Sequence, residues 1–285
     1  MRFLILLLLW LPAACLHARE LVDARGQPLL LEKPAQRIVV LAPNLAEDLD
    51  AIGALDRVVG RVAHTDYPAQ VAKLPLVGDY QQFNVEAILS LNPDLVLAWQ
   101  EGNPEAQLRK LEAMGLEVFR LSSQHIRDIP DNLIQLGRLT GQEAQAEQAA
   151  AAFHRRLAEL EPAEGPRPRL FYLLWDDPLL SVSNSTLIGE AIAFCGADNL
   201  FAERPEAIPQ LNMEAVIAAQ PDLIVSTNEV GDNWRERWLS WKQIPAVARQ
   251  QLVSLEADYL HRATPRFLSG LDELCKAVSA ARAQM

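Results

Sequence analysis

An internal repeat constrains the fold of this chain more than any other feature. Residues 84–97 and residues 212–225 follow one pattern, with Asn, Glu, Ala, Pro, Asp and Leu at matching positions and no gap. Each copy predicts a short helix, a Pro-Asp break and then an apolar strand. We therefore expect two copies of one α/β unit, with a binding site in the cleft between two lobes.

Apolar runs and segments of helical periodicity alternate on both sides of the repeat, which predicts parallel sheets covered by helices. The predicted strands are 37–41, 58–62, 76–78, 95–99, 117–121, 170–175, 223–226 and 252–255. The predicted helices outside the repeat are 45–55, 104–114, 186–194 and a last helix from residue 265.

Residues 142–161 contain neither Gly nor Pro and are rich in strong helix formers. This segment predicts a stiff connection between the two halves, unlike a flexible Gly/Ser linker. The expected fold class is α/β: two Rossmann-like lobes with parallel sheets, 19–140 and 163–285, joined by one long rigid α-helix within 141–162.

The first residues differ from the rest of the chain. Arg2 precedes nine apolar residues at 3–11, followed by small residues, and this run is far shorter than the ~20 residues that span a bilayer. Residues 1–18 therefore predict a secretory signal peptide and a periplasmic protein. Lipidation at Cys15 is the alternative. The net charge of −11 disfavours nucleic acid or an anionic membrane surface as partner.

Two cysteines remain beyond the leader, Cys195 and Cys275. An even pair in an exported protein predicts a disulfide, and two buried free thiols are the alternative.

Ligands of open parallel sheets bind outside the carboxyl ends of the strands. The residues expected there are mostly aromatic or charged, which suits a bulky, partly apolar ligand with polar edges. Each aromatic could instead be packing, and the acid and arginine near residue 260 could be only a local ion pair. The candidates are His64, Asp66, Tyr67, Tyr80, Trp99, Asp258, Tyr259, Leu260, His261 and Arg262.

Enzyme signatures are missing: there is no Gly-x-Ser-x-Gly elbow, phosphate-binding Gly loop or His-Glu-x-x-His motif. We therefore expect neither catalysis nor a protein-bound metal. His64 and His261 belong to different lobes and could face each other across the cleft, where they could touch a metal within the ligand. The three tryptophans Trp234, Trp238 and Trp241 share one predicted helical face, and we expect them in the core and not in the binding site.

Glu86 and Glu214 occupy matching places, two residues after Asn84 and Asn212 at the predicted helix starts. Helix capping by Asn and a dipole interaction of about 0.3–1 kcal/mol for Glu are sufficient to explain the pattern. The alternative is that two exposed like charges dock on a two-fold symmetric partner that carries arginines.

Several segments together resemble a known family. They are Thr65-Asp66-Tyr67-Pro68, Asn84-Val85-Glu86, 92–99, Gly102-Asn103, 143–150 and Arg262-Ala263-Thr264-Pro265-Arg266. The chain resembles the helix-linked periplasmic solute-binding proteins of ABC importers, and within them the cobalamin binders.

The resemblance implies a monomer that carries cobalamin or a related corrinoid as transported ligand, with no cofactor. It also implies a Cys195–Cys275 disulfide, and an ABC permease dimer whose arginines engage Glu86 and Glu214.

Inside the cleft the chain departs from that family. His64 stands where those proteins have a tyrosine, Tyr80 where they have a tryptophan, and Leu180 and Ile208 where they have aromatics. The same scaffold carrying haem or a ferric siderophore therefore stays an alternative. A periplasmic metal-dependent enzyme using His64 and His261 is a second one.

Overall fold

The computed structural model describes residues 19–160, 164–231 and 233–285, and within these residues two four-stranded parallel sheets form the framework. The first sheet has the order β4-β3-β5-β6, and its strands are β3 (Ile38–Val40), β4 (Val58–Arg61), β5 (Leu95–Trp99) and β6 (Val118–Leu121). The second has the order β10-β7-β11-β12, and its strands are β7 (Arg169–Tyr172), β10 (Asp198–Asn199), β11 (Leu223–Thr227) and β12 (Leu252–Leu255).

Two short antiparallel hairpins accompany the sheets. They are β1 (Arg19–Val22) with β2 (Pro28–Leu31), and β8 (Trp175–Asp176) with β9 (Leu179–Leu180). The helices are α1 (Pro43–Ala51), α2 (Val85–Ser90), α3 (Glu105–Ala113), α4 (Asp128–Thr140), α5 (Glu143–Glu159), α6 (Leu187–Phe194), α7 (Met213–Ala219), α8 (Trp234–Trp238), α9 (Pro245–Ala248), α10 (Ala257–Leu260) and α11 (Phe267–Arg282). Below, the N lobe is the set of elements β1 to α4, and the C lobe is the set β7 to α11.

Both faces of each sheet are buried. In β3, Ile38 and Val40 pack into one apolar cluster of the N lobe while Val39 packs into another on the opposite face. In β7, Leu170 and Phe171 divide in the same way between the two clusters of the C lobe. Strands buried on both faces read as continuous apolar runs, and these runs predicted the parallel sheets. The α/β fold class is confirmed.

Helix α5 joins the two lobes. Its 17 residues extend over about 26 Å. Ala146 near its start belongs to the N-lobe core, and Phe153 near its end belongs to the C-lobe core. The helix also lies very close to α4, because a Cβ added at Gly137 would be 2.4 Å from the Cβ of Ala146.

Some local predictions were wrong. Residues 76–78 make only isolated bridges, Arg61 with Leu76 and Gly78 with Phe83, because Gly78 turns the chain at a φ of 132°. Helix α4 and the two hairpins were not predicted. Trp234 and Trp238 are buried in the C lobe as expected, and Trp241 packs against the same cluster; however, α8 ends at Trp238, so the three do not share one helix.

The predicted disulfide is present. Cys195 at the end of α6 is bonded to Cys275 in α11, with 4.7 Å between the Cα atoms and 80 residues between the positions. In the chain-entropy account, closing such a loop stabilises the fold by about 4–5 kcal/mol.

The predicted signal peptide, with Cys15, lies outside the described residues. In residues 19–160, 164–231 and 233–285, no helix is both long and apolar enough to cross a membrane.

Candidate functional site

The carboxyl ends of the two sheets are joined by Arg262. This residue follows β12 in the C lobe, and its Nη1 donates to Glu47 Oε1 of α1 at 2.9 Å and to Asp66 Oδ1, beyond β4, at 3.0 Å. Its Nη2 lies 2.7 Å from Asp258 Oδ1 and donates to the backbone oxygen of His64 at 3.2 Å. The predicted pair of Asp258 and Arg262 is therefore more than a local ion pair, because the arginine also bonds to the opposite lobe.

Neighbouring groups shift the pKa of Asp258 in opposite directions. Burial raises the pKa of its carboxyl group, Arg262 lowers it, and the charge of Asp66 raises it again, with a net shift upwards. The candidate cleft therefore brings the carboxylates of Glu47, Asp66 and Asp258 together around the guanidinium of Arg262, between the lobes.

Glu47 is a second cross-lobe contact and was not predicted. Its side chain is 2% exposed, forms an ion pair with Arg266 Nη1 at 3.2 Å and accepts a hydrogen bond from Thr264 Oγ1 at 3.1 Å. The neighbouring Asp48 is fully buried, and neither of its oxygens has a hydrogen-bond partner. Burial first, and then the charge of Glu47, raise the pKa of Asp48 well above its ordinary value.

Arg266 links two of the predicted aromatic residues. Its guanidinium carbon lies 3.9 Å from the ring centre of Tyr67 in the N lobe and 4.9 Å from that of Tyr259 in the C lobe. A cation between two aromatic faces is an attractive arrangement. Tyr67 and Tyr259 therefore tie the lobes together at the cleft.

Tyr80 and Trp99 form an aromatic pair on the N lobe, with ring centres 6.5 Å apart. Buried Asn103 positions both, because its Oδ1 accepts from the Trp99 backbone N–H at 2.7 Å and its Nδ2 donates to the Tyr80 carbonyl at 2.7 Å. Gly102 is required beside them, since a Cβ there would lie 2.0 Å from the Trp99 ring. Tyr80 keeps 40% of its surface exposed.

The ring of His261 is fully bonded within the C lobe. Its Nε2 lies 3.0 Å from the hydroxyl of buried Tyr172, and its Nδ1 lies 2.9 Å from Glu229 Oε2. The hydrogen bond with His261 lowers the pKa of Glu229. Burial, and then the charge of Glu229, raise the pKa of Tyr172. His261 is thus placed at the cleft but has no unoccupied ring nitrogen.

His64 differs from His261. It is exposed, lies in the left-handed region with a φ of 61°, and is close enough to Glu229 to help lower the pKa of that carboxyl group. In the described part of the chain, its ring nitrogens make no hydrogen bond; only its backbone oxygen is engaged, by Arg262. The two histidines come from opposite lobes and share Glu229 as a neighbour.

Leu260 is buried, unlike the other predicted site residues of its segment. Its side chain is 0% exposed, belongs to the core of the C lobe and packs onto Gly270 of α11. Because α10 turns this residue inwards while Asp258 and His261 stay partly exposed, the structure does not bring Leu260 to the surface of the cleft with them.

Trp175 is a candidate that sequence reasoning missed. It lies beyond the carboxyl end of β7, is 45% exposed, and pairs across the hairpin with Leu180. Its indole N–H donates to the Asp177 carbonyl at 3.1 Å, which fixes the ring. The backbone N–H of Ser181 donates to the Pro209 carbonyl at 3.1 Å, and this bond places exposed Ile208 next to the β8–β9 hairpin. Treating Trp175 as a strand end, not a strand residue, would have found it.

Glu86 and Glu214 have equivalent surroundings. Each is exposed in the first turn of its helix, α2 or α7, and each helix is capped by an Asn Oδ1 that accepts a backbone N–H at 2.9 Å. Both helices lead into the amino end of a parallel strand, so their N-termini lie towards the carboxyl edge of the sheet. The glutamates are therefore on the same side of each lobe as the cleft.

Among residues 19–160, 164–231 and 233–285, no cluster of three or more His, Cys, Asp or Glu side chains is arranged to hold a metal ion.

Comparison with known proteins agrees with this architecture. A family model described as periplasmic binding protein matches residues 38–259. The vitamin B12-binding protein of Vibrio cholerae is 33% identical over 262 residues, 90% of this chain and 95% of that protein. The crystal structure of the periplasmic vitamin B12 binding protein of Vibrio cholerae matches with a TM-score of 0.82 at 33% identity, covering 87% of this chain and 98% of that one. The periplasmic haem-binding protein of Roseiflexus sp. RS-1 matches at 0.77 and 24% identity, covering 87% and 99%, and shows the fold alone.

Proposed function

Because this chain belongs to the periplasmic binding protein family, we propose that it captures cobalamin or a related corrinoid between its lobes and delivers it to an inner-membrane ABC permease. It is a solute-binding protein and not an enzyme. The proposal rests on the similarity to the vitamin B12-binding protein of Vibrio cholerae, which extends over nine-tenths of this chain.

The aromatic side chains of the cleft support a large, partly apolar ligand. Tyr80, which packs against partly buried Trp99, offers ring surface on the N lobe, and Trp175 offers it on the C lobe. Aromatic groups with open faces contribute large contact areas at small entropy cost. Trp175 stands beside Leu180 and Ile208, the positions where the family resemblance predicts aromatics, so it supplies the stacking surface that those two residues lack.

The polar candidates would bind the edges of the ligand. The side chain of Asp66 is 61% exposed and that of Asp258 is 35% exposed, so both carboxylates can accept hydrogen bonds from amide groups. Tyr67, Tyr259, His261 and Arg262 hold the walls in place through the contacts described above.

Glu86 and Glu214 would bind arginines on the two halves of the permease. Their matching exposure and helix position, one in each lobe, suit a partner with two-fold symmetry.

The protein would act as a monomer in the periplasm after removal of residues 1–18, with lobes at 19–140 and 163–285 and the connecting helix within 141–162.

Haem is the second candidate ligand. Its support is the open imidazole of His64 together with the fold shared with a haem-binding protein. The cleft carboxylates Glu47, Asp66, Asp258 and Glu229 outnumber Arg262 and Arg266. This excess of negative charge favours the corrinoid, since haem itself carries two carboxylates.

Calorimetric titration of the purified protein with cobalamin, cobinamide and ferric haem tests the proposal. We expect a corrinoid to bind with a Kd far below ~1 mM, the value that corresponds to only about −4 kcal/mol, and more tightly than haem. Millimolar corrinoid binding alongside tight haem binding would disprove the corrinoid assignment.

A further inference from the structure

We propose that the imidazole of His64 binds the central metal of the transported macrocycle directly, as an axial ligand. The inference rests on the proposed function and adds a specific bond to it. It follows from the different states of the two cleft histidines.

His261 cannot take this role in the observed arrangement. Tyr172 and Glu229 occupy both of its ring nitrogens, at 3.0 and 2.9 Å, and a metal bond would have to break one of these contacts. His64 has no such partners within the described residues, and its ring is exposed at the cleft. A neutral imidazole nitrogen is the commonest protein ligand for transition metals.

The loop that carries His64 is already fixed. The backbone oxygen of His64 accepts from Arg262 at 3.2 Å, and the N–H of the preceding Ala63 donates to the Gly78 carbonyl at 2.7 Å. The left-handed φ of 61° at His64 is held by these contacts on both sides. Little ordering would therefore be needed when the ligand arrives, which favours a well-defined metal bond.

A planar macrocycle fills the equatorial positions of its metal and leaves axial positions for water or an added ligand. The proposed step forms one bond from the imidazole nitrogen to cobalt(III) and breaks the bond from cobalt(III) to water. The water leaves with its own electron pair, and the oxidation state does not change. The carboxylate of neighbouring Glu229 would attract the cationic cobalt of a corrinoid. It therefore favours binding of a corrinoid over binding of an anionic macrocycle.

Visible absorption spectroscopy of the full-length protein tests the bond. Diaquocobinamide carries exchangeable axial water, whereas dicyanocobinamide has both axial positions blocked by cyanide. At pH 8, which favours neutral imidazoles, we expect wild-type protein to shift the absorption bands of diaquocobinamide and leave those of dicyanocobinamide unchanged. His64→Asn should abolish the shift, because Asn tolerates the left-handed backbone but lacks the imidazole. His154→Ala, on the exposed side of α5, should keep it.

Affinity separates this proposal from the general function. His64→Asn should weaken diaquocobinamide binding at least tenfold and change dicyanocobinamide binding less than threefold. Equal band shifts for wild type and His64→Asn, with binding intact, would overturn the bond and leave the proposed function standing. Absence of any corrinoid binding would overturn both. A His64-dependent shift of ferric haem bands, without one for diaquocobinamide, would overturn the corrinoid assignment in favour of an iron porphyrin.

Discussion

At the scale of residues, the polar groups of the cleft are largely bonded to one another. Arg262 bonds to Glu47, Asp66 and Asp258, and Arg266 lies between two tyrosines. These contacts join the lobes before any ligand is bound. Tyr80, Trp175 and the ring of His64 differ from them, because they are exposed and make no contact with the opposite lobe among the described residues. Ligand affinity should therefore depend more on these three than on the arginines.

Trp175 gives a direct test at this scale. We expect Trp175→Ala to weaken corrinoid binding by about five- to thirtyfold, since loss of a buried aromatic contact costs about 1–2 kcal/mol of binding free energy. Met114→Ala is the control, because Met114 is similarly exposed, at 49%, but follows α3 at the amino end of β6, away from the carboxyl ends of the strands. Calorimetry of both variants decides the matter, and equal affinities would remove Trp175 from the site.

Asp48 predicts an unusual pH dependence of stability. Because burial raises its pKa in the folded protein, its contribution is fully present below the ordinary carboxyl value of 3.8 and is lost as the pH rises above it. Asp48→Asn should therefore raise the free energy of unfolding at pH 7, by about 1–3 kcal/mol, and much less at pH 4.

Urea unfolding at both pH values measures this effect. Asp56→Asn, at an exposed position near the end of the following turn, should change the free energy of unfolding by less than about 0.5 kcal/mol at either pH. An equal effect of Asp48→Asn at pH 4 and pH 7 would contradict the assignment.

At the scale of elements, the close approach of α4 and α5 holds the start of the connecting helix. Gly137→Ala should destabilise the protein by about 1–3 kcal/mol through overpacking, because the added Cβ would meet Ala146 at 2.4 Å. Ala146→Gly should recover part of this loss when combined with it. A double-mutant cycle by urea unfolding should give a coupling of about 1 kcal/mol or more, and strict additivity would argue against the contact.

Sequence alone predicted the elements whose apolar pattern is strong. Strand β5 and helix α6 lie within their predicted ranges, and both ends of α5 lie within two residues of the predicted segment 142–161. A buried parallel strand such as β5 and a helix without Gly such as α5 leave clear patterns in the sequence. The β8–β9 hairpin has strands of two residues each, too short for a periodic signal.

Side-chain orientation in the site was beyond the sequence. Leu260 and His261 are adjacent, yet Leu260 at the end of α10 is buried and His261 stays partly exposed. Glu47 lies within the predicted helix 45–55, and its role depends on Arg262 and Arg266, more than 200 positions later in the chain. Contacts across such distances depend on how the lobes pack, which local pattern does not encode.

At the scale of the whole molecule, polar contacts add to the covalent connection through α5 and restrict movement of the lobes. Glu190 of α6 accepts from the backbone N–H of Ile126 at 2.9 Å, and Arg156 of α5 reaches Asp272 of α11 at 3.5 Å. Together with the Glu47 cluster, these contacts suit small lobe movements and a docking face of nearly constant spacing.

Docking should therefore respond to charge without loss of ligand binding. Glu86→Lys combined with Glu214→Lys is expected to abolish transport into cells, because both lobes would repel the permease arginines, while corrinoid affinity stays within twofold. Glu117→Lys combined with Glu273→Lys, at two other exposed acids, keeps the same net charge and should leave transport near normal. Normal uptake by the first variant would disprove docking through these glutamates.

The most direct test of corrinoid capture is the absorption spectrum of protein separated from excess cobalamin by gel filtration. The proposed function predicts corrin absorbance in the protein peak at one cobalamin per chain, and a strongly reduced amount for Tyr80→Ala combined with Trp175→Ala. A wild-type peak without corrin absorbance would contradict the assignment of this chain as a corrinoid carrier.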